Sequence, residues 1–321
     1  MAETKKSVEF VREMFLELSE DYIQHGATIS DLRAVAIPAN VKDHNSATQR
    51  AYLKKVLLVL LVPLLYGIFN RQFNIIKSFQ GTRCLLPNNY LVWEFTRPIA
   101  NCDYCRDVES PLTLPNLTKE EFRAYSYSSR PMIIKSAAHD WPARTKFTLQ
   151  FFRDLYERTK GAYESVEEEC QFLGFKSNFA NLREVLAMSE RRALHREGED
   201  PWYIGWKNCH PQILDAMRQF YSVPHFLPDD AEIPYSNYIF LGYEEGAVMH
   251  LDYISRLMWQ AQVIGSKTWT VAPTPECHSE CKSFKFSVDA TDVVLLDTRI
   301  WYHSTRVEND GLSLTVTSEY G

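Results

Sequence analysis

The residue types and spacing of His250-Leu251-Asp252 indicate chemistry more directly than any other part of the sequence. Side chains two positions apart in an extended strand point to the same face, so His250 and Asp252 should share a face that Leu251 does not. A second histidine, His303, follows and would come from a neighbouring strand. Two imidazoles and one carboxylate on a triangular face form a mononuclear non-haem Fe(II) site, with positions left open for a co-substrate and O₂.

Lys267 is the candidate for recognising that co-substrate. A buried cation there would pair with the far carboxylate of an oxo-acid bound to the metal. Each residue also has a simpler interpretation when taken alone: Lys267 as a surface lysine after a Gly-Ser turn, and His303 as a core histidine beside Trp301. A single His-x-Asp pair is common, so the metal site is favoured by the whole set in this order.

The candidate ligands lie among short apolar runs separated by turn residues, a pattern typical of a β-barrel or sandwich. We therefore predict that these runs are strands and that the ligands lie on strands. The predicted strands are residues 238–243, 257–264, 267–271, 292–296, 301–303 and 312–317.

From about Pro201 to Tyr320 the sequence resembles the jumonji-C (JmjC) branch of the cupin-type oxygenases. The likeness rests on the His-x-Asp motif, the spaced Lys267 and Trp301-Tyr-His303, with a weaker upstream match over 117–135. Within that branch it is most similar to the phosphatidylserine-receptor-type lysyl hydroxylases and arginine demethylases. The resemblance implies a mainly β fold with flanking helices (α+β), built on a double-stranded β-helix (jelly-roll) core.

The resemblance also implies roles for single residues. His250, Asp252 and His303 would hold Fe(II), and no further catalytic residue is assigned. Lys267 and Tyr203 would bind the distal carboxylate of 2-oxoglutarate.

Two further positions, Thr317 and Gln260, would lie near that co-substrate by the same resemblance. Gln260 departs from the family, because close relatives carry Asn there; Gln keeps the amide but adds a methylene. The turn before His303, Asp297-Thr-Arg-Ile300, replaces a turn that usually contains Pro or Gly. Both departures concern the shape of the pocket and remove no ligand.

The implied activity is that of a 2-oxoglutarate-dependent dioxygenase that uses O₂ and hydroxylates a protein side chain. Alternatives are a JmjC-like demethylase, a metal-dependent cupin that does not use 2-oxoglutarate, and a catalytically weak cupin-fold binding or scaffold protein. The net charge of −6 and the lack of a Lys/Arg block indicate no nucleic-acid partner.

The sequence divides into four predicted regions. Residues 1–50 are predicted to form an N-terminal helical segment whose first helix ends near Gly26, and residues 51–70 a single-pass membrane anchor. Residues 71–110 are predicted to be a linker with one strand at 90–95, and residues 111–321 the oxygenase domain. The apolar positions of the first helix recur at steps of three and four: Val8, Val11, Phe15, Leu18 and Tyr22.

The anchor prediction rests on the uncharged residues 56–69. As a helix this run would span ~21 Å, against the ~30 Å of a bilayer core, so a buried core helix is the alternative. A slight excess of Lys and Arg before the run favours a cytosolic N-terminus and an oxygenase in the lumen of the endoplasmic reticulum or Golgi. A cytoplasmic protein is the alternative.

Cysteine usage fits a lumen and leaves the pairing open. Cys102 with Cys105, and Cys277 with Cys281, are two close pairs among seven cysteines. They could form disulfides, a structural zinc site or free thiols. Asn116-Leu-Thr118 is either a glycosylation sequon or a helix cap.

Overall fold

A computed structural model describes residues 2–34, 90–308 and 311–321. The chain divides into two compact units, Met1–Asn89 and Tyr90–Gly321.

The described part of the first unit is helical. Helix α1 spans Ala2–Gln24, and a short helical segment follows at 29–34. Gly26 adopts a φ of +93°, and its N–H donates to the carbonyl of Ile23 at 3.0 Å, so the helix ends where the sequence predicts.

The apolar positions of α1 are solvent-exposed. Val11, Phe15, Leu18 and Tyr22 each keep more than half of their surface accessible among the described residues. The spacing thus predicts the helix correctly, but these side chains do not contribute to a core in the described part of the chain.

No helix within 2–34, 90–308 or 311–321 is long and apolar enough to cross a membrane. The predicted anchor, residues 51–70, lies outside the described residues, as do residues 71–89 of the predicted linker. The anchor therefore stays a prediction.

The second unit consists of a helical layer, an eight-stranded sheet and a three-stranded sheet. The large sheet has the order β1-β2-β9-β6-β11-β5-β4-β3 and the small one β10-β7-β8; neighbouring strands are antiparallel except β1 and β2. The strands are β1 Leu112–Leu114, β2 Met132–Ile134, β3 Gln171–Leu173, β4 Tyr203–Asn208, β5 Asn237–Gly242, β6 Leu257–Ile264, β7 Lys267–Ala272, β8 Phe284–Val288, β9 Val293–Leu296, β10 Tyr302–Val307 and β11 Ser313–Tyr320. The predicted mainly β fold with flanking helices and a jelly-roll core is confirmed.

Eight α-helices lie among the described residues of this unit. They are α2 Tyr90–Thr96, α3 Lys119–Phe122, α4 Ala143–Lys146, α5 Leu149–Arg158, α6 Ala162–Glu168, α7 Leu182–Leu186, α8 Glu190–Ala193 and α9 Pro211–Arg218. The longest of them, α5, begins at Thr148, whose hydroxyl accepts the N–H of Phe151. Its buried residues Phe152, Leu155 and Tyr156 follow at helical spacing and pack against the large sheet.

The two faces of the large sheet have different partners because side chains alternate along each strand. Ile239 and Leu241 of β5 join the core between the sheet and the helices. Tyr238 and Phe240, from the same strand, lie on the opposite face, towards the small sheet. A second core, which includes Met258, lies between the sheets. The candidate ligand His303, on β10, is on this inner side, beside Trp269 and Val271 of the second core.

All six predicted strands are present, as β5, β6, β7, β9, β10 and β11, with shifted ends. The strand predicted at 90–95 is wrong, because this segment is helix α2. Tertiary contacts favour the helix: Trp93 and Arg97, four positions apart, share a helical face that packs on Tyr253 and pairs with Glu276.

Candidate metal centre

The first two candidate ligands lie in the loop between β5 and β6, so the prediction that they sit on a strand is wrong. The local backbone is nevertheless held extended. His250 and His303 exchange two backbone hydrogen bonds of 3.1 and 2.9 Å, and the N–H of Asp252 donates to the carbonyl of Thr298 at 2.9 Å. Leu251 is buried, 3% exposed. The two-residue spacing therefore places His250 and Asp252 on the same side of the backbone, as in a strand, although this segment is not part of a regular strand.

The three side chains converge on one carboxylate. Nε2 of His250 lies 3.3 Å from Oδ1 of Asp252, and Nε2 of His303 lies 3.7 Å from Oδ2. One donor atom from each residue lies within 4.8 Å of the other two. These residues form the one such group of His, Cys, Asp or Glu among the residues that the structure describes.

Backbone carbonyls orient both imidazoles. Nδ1 of His250 is 2.6 Å from the carbonyl oxygen of Val248, and Nδ1 of His303 is 3.1 Å from that of Trp301. A carbonyl can only accept, so each Nδ1 carries a proton; Nε2 then donates to the carboxylate when the ring is protonated there as well, and offers a lone pair when the ring is neutral. This is the tautomer that a metal bound at Nε2 requires.

The ionisation of the three groups follows from burial and from one another's charge. Burial alone would raise the pKa of Asp252, but the hydrogen bond from His250 and the two nearby histidines lower it. Burial lowers the pKa of His303 to about 4. Burial also acts to lower the pKa of His250, but its contacts with Asp252 outweigh burial and raise it. An ionised Asp252 and a neutral His303 are the forms that bind a metal.

The donor set fits a divalent iron ion. Two imidazole nitrogens and one carboxylate, presented together, are the ligands of the facial-triad Fe(II) oxygenases. The side chains of His250 and Asp252 are 33% and 31% exposed, whereas that of His303 is 6% exposed. The centre is therefore backed by protein on the His303 side and open on the other, as a site that admits a co-substrate needs.

Lys267 is completely buried, so the surface interpretation is wrong. Its Nζ donates to the hydroxyl of Tyr203 at 2.6 Å and lies 5.0 Å from that ring's centre, and no carboxylate of the described residues pairs with it. Burial lowers the pKa of Lys267 to about 7 and raises that of Tyr203. An unpaired ammonium in the interior needs an anionic partner, and a bound dicarboxylate would supply one.

Thr317 and Gln260 are direct partners across β11 and β6, and Thr317 also pairs with Tyr238 of β5. Directly paired residues point to the same side of a sheet, so the three form one row on the inner face. Thr317 and Gln260 are 6% and 7% exposed. The hydroxyl of Thr317 has no hydrogen-bond partner among the described residues, and neither does that of Thr315 in the next row. Buried hydroxyls without partners fit a polar molecule bound between the sheets.

The turn at residues 297–300, where the sequence lacks the Pro or Gly that the resemblance implies, forms a contact that the sequence did not reveal. The guanidinium of Arg299 donates to both carboxylate oxygens of the buried Asp297, at 2.8 and 2.9 Å, and to the carbonyl of Ser255 at 3.1 Å. Arg299 thereby joins the turn to the loop that follows Asp252. The available signal was the pair Asp-x-Arg just before Trp-x-His, but its partner at 255 is not readable from spacing.

Two disulfides join one close cysteine pair to the other, which excludes the zinc and free-thiol alternatives in this structure. Cys102 bonds to Cys277 and Cys105 to Cys281, with Cα separations of 5.4 and 5.5 Å. A third disulfide, between Cys170 and Cys209, was not predicted. The first two fasten the segment before the predicted oxygenase domain to the loop after β7.

The sequon residues have separate places. The hydroxyl of Thr118 accepts the N–H of Glu121 in a capping box, which confirms the helix-cap interpretation for Thr118. Asn116 is exposed. Its glycosylation stays a prediction.

No family model matches the chain. Two curated proteins are similar to about half of it. The bifunctional arginine demethylase and lysyl-hydroxylase psr-1 of Caenorhabditis elegans is 25% identical over 168 residues, which are 49% of this chain and 40% of that protein. The lysine-specific demethylase JMJ21 of Arabidopsis thaliana is 22% identical over 167 residues, 49% of this chain and 16% of that protein. The chain thus spans less than half the length of these relatives.

Among solved structures, the ribosomal oxygenase YcfD of Escherichia coli aligns with a TM-score of 0.41 and 15% identity, covering 66% of this chain and 52% of that one. Its complex with cobalt and succinic acid aligns with a TM-score of 0.42 and 14% identity, covering 65% and 52%. The sequence similarity to the curated proteins confirms the resemblance to JmjC oxygenases.

Proposed function

We propose that the chain is an Fe(II)- and 2-oxoglutarate-dependent oxygenase that hydroxylates a protein side chain. The observation that carries the proposal is the convergence of two Nε2 atoms on the carboxylate of Asp252, in the same inter-sheet space as a buried ammonium without a carboxylate partner. A metal site alone would serve many reactions; the second feature favours an anionic co-substrate.

Each proposed residue has a binding or positioning role. His250, Asp252 and His303 would hold Fe(II), which with 2-oxoglutarate and O₂ supplies the oxidation of a C–H bond and yields succinate and CO₂. Lys267 would pair with the distal carboxylate of 2-oxoglutarate, and Tyr203 would donate a hydrogen bond to it.

Thr317 and Gln260 would contact the co-substrate from the neighbouring strands β11 and β6. The hydroxyl of Thr317 is free to donate, and Gln260 offers an amide from the adjacent position of the same row. Because Gln260 is one methylene longer than the family's Asn, its contact would reach further into the pocket.

A protein is the proposed substrate, by analogy with the relatives whose names state lysyl hydroxylation and arginine or lysine demethylation. Hydroxylation and demethylation share the first oxidation of a C–H bond and differ in the product. Demethylation releases formaldehyde, so a formaldehyde assay with the substrate distinguishes the two. Two alternatives remain: the complete ligand set argues against the catalytically weak scaffold, and the buried Lys267 beside Tyr203 argues against a metal-dependent cupin that does not use 2-oxoglutarate.

The proposal includes a membrane-anchored chain with the oxygenase unit in a lumen. Residues 56–69 supply the candidate anchor, and the three disulfides favour an oxidising compartment over the cytosol.

The activity is tested by following succinate formation from 2-oxoglutarate by the purified full-length chain, with Fe(II) and ascorbate and without added protein substrate. Slow, iron-dependent succinate formation is expected, and Asp252→Ala should abolish it. A matched control, His139→Ala, changes an exposed residue remote in sequence from the site and should leave the rate unchanged. Iron-independent formation, or equal rates for Asp252→Ala and the wild type, would refute the proposal.

A further inference from the structure

Residues 90–105, here called the strap, contact the neighbours of two candidate metal ligands. The strap contains helix α2 and a 3₁₀ turn at Cys102–Tyr104. At its start, the ring of Trp93 packs on that of Tyr253 at 4.8 Å between centres. Tyr253 directly follows Asp252, so this contact bears on the loop that carries the carboxylate ligand.

The adjacent strap residue reaches the other side of the site. The carboxylate of Glu94 accepts the hydroxyl of Tyr302, which directly precedes His303. Tyr104, further along the strap, donates to the carbonyl of Ile300 at 3.0 Å, and its ring packs edge-on against Trp301 at 5.0 Å. The strap therefore holds the three residues before the histidine ligand as well as the residue after the carboxylate ligand.

A half-buried ion cluster around Arg97 fixes the part of the strap that follows helix α2. Arg97 donates to Glu94 at 3.1 Å and forms a two-pronged pair with Glu276 at 2.7 and 2.8 Å. The carboxylate of Glu276 also accepts the N–H of Ala100 at 2.9 Å. The side chains of Arg97, Glu94 and Glu276 are 12%, 19% and 23% exposed, so solvent screens the cluster less than it would a surface pair.

Two disulfides fix the other end. Cys102 of the strap is bonded to Cys277, directly after Glu276, and Cys105 to Cys281, further along the same loop. The ion cluster and the disulfides thus attach the strap to the loop at residues 276–281. Trp93 and Glu94 extend from this attachment towards the segments that carry the metal ligands.

We propose that the strap is a positioning element for the metal centre, in which Trp93 and Glu94, acting through Tyr253 and Tyr302, hold Asp252 and His303 at the spacing that binds the ion. This inference rests on the proposed function, since it assumes that the centre binds a metal. Groups that hydrogen-bond directly to metal ligands change metal affinity by about 10- to 100-fold when they are removed. Trp93 and Glu94 act one residue further from the ion, so a smaller effect is expected.

The test is a Co(II) titration of the purified full-length chain, with the visible absorption of the bound ion giving both the Kd and the ligand geometry. Trp93→Ala and Glu94→Ala should each raise the Kd several-fold, up to about tenfold, and alter the Co(II) spectrum. Trp93→Phe keeps a ring against Tyr253 and should restore most of the affinity. Phe95→Ala is the matched control from the same helix, because Phe95 is 86% exposed.

Thermal unfolding of each metal-free variant separates positioning from general stabilisation. If the alanine variants unfold earlier but bind Co(II) with the wild-type Kd and spectrum, the strap only stabilises the fold and the inference is overturned. Glu94→Gln keeps the size and an acceptor oxygen, so it serves if the alanine variants do not fold. In that case the inference is supported by a wild-type Kd for both Glu94→Gln and Trp93→Phe, together with a raised Kd for Tyr302→Phe. A wild type that binds no Co(II) would refute the proposed function and the strap's role together, whereas tight wild-type binding with unaffected variants refutes the strap alone.

Discussion

At the scale of single residues, Lys267 has an unusual electrostatic position. It is fully buried, its Nζ donates to the hydroxyl of Tyr203, and none of the described residues offers it a carboxylate. Keeping an ammonium there lowers the stability of the ligand-free protein, because burial disfavours the charged form. A residue that costs stability in the free protein is best explained by a gain on binding.

Lys267→Met should therefore separate stability from binding. Met fills a similar volume without a charge, so the free energy of unfolding of the ligand-free protein should rise by about 1 to 3 kcal/mol. Binding of 2-oxoglutarate to the metal-loaded protein should be lost. Chemical denaturation measures the first quantity and calorimetric titration the second; wild-type affinity for 2-oxoglutarate in this variant would contradict the assigned role.

The same residue predicts how binding depends on pH. Burial lowers the pKa of Lys267 to about 7 in the folded protein, whereas an unfolded lysine titrates near 10.4. Between these values the unfolded state binds more protons, so the stability of the free protein should rise with pH from about 7 to about 10. A carboxylate partner requires the ammonium form, so the affinity for 2-oxoglutarate should fall above pH 7, by up to about tenfold per pH unit.

Calorimetry of 2-oxoglutarate binding between pH 6.5 and 9, in buffers of different ionisation enthalpy, would measure this proton uptake. Over that range the wild type should take up an increasing fraction of a proton. A constant affinity without proton uptake would show that Lys267 does not bind the carboxylate as an ammonium.

At the scale of elements, the turn before β10 connects the two metal-bearing segments. Arg299 ties Asp297 to the carbonyl of Ser255, while the carbonyl of Thr298 accepts the N–H of Asp252. The usual Pro- or Gly-containing turn is thus replaced by one that carries its own ion pair. The ion pair of Asp297 and Arg299 therefore holds this turn in place of the Pro or Gly that the sequence resemblance implies.

Arg299→Ala should destabilise the fold by about 1 to 3 kcal/mol, because it leaves the carboxylate of Asp297 buried with fewer partners. The double variant Asp297→Asn/Arg299→Ala removes the stranded charge and should recover part of that loss. Urea denaturation of the two variants and the wild type tests this. A single variant as stable as the wild type would mean that the pair contributes nothing measurable.

The elements also show what the sequence could and could not predict. The ligand triad follows from residue type and a spacing of two, which are local properties, and the runs that became β5, β6 and β7 have clear apolar patterns. Helix α2 could not be predicted, because its type depends on Trp93 meeting Tyr253, a contact between distant segments. Cysteine counting leaves several pairings possible, so only the fold brings Cys102 to Cys277. The unpaired state of Lys267 likewise depends on which side chains surround it.

At the scale of the whole molecule, the disulfides bear on where the chain folds. Two of them join residues 175 and 176 positions apart, so they close long loops and stabilise the unit only in an oxidising compartment. Asn116 is exposed and begins a sequon, which only a lumenal protein would have glycosylated. The disulfides favour the proposed lumenal placement of this unit, and the exposed sequon is compatible with it; neither bears on the proposed anchor at residues 56–69.

Expression of the full chain in eukaryotic cells tests this arrangement with two independent readouts. The protein should run faster on a non-reducing gel than on a reducing one, and glycosidase treatment should remove one glycan. Asn116→Gln should abolish the glycosidase shift, whereas Thr118→Ser, which keeps both sequon and helix cap, should retain it. Unmodified protein whose cysteines are all alkylated without prior reduction would contradict a lumenal oxygenase unit.

The most direct test of the central claim is an anaerobic titration of the purified full-length chain with Fe(II) and then 2-oxoglutarate, followed by visible absorption. The wild type should develop the charge-transfer band of a metal-bound 2-oxo acid. His250→Ala should show no band, whereas His139→Ala should match the wild type. A folded protein that binds Fe(II) but develops no band with 2-oxoglutarate would contradict the co-substrate assignment, and a protein that binds no Fe(II) would contradict the metal centre itself.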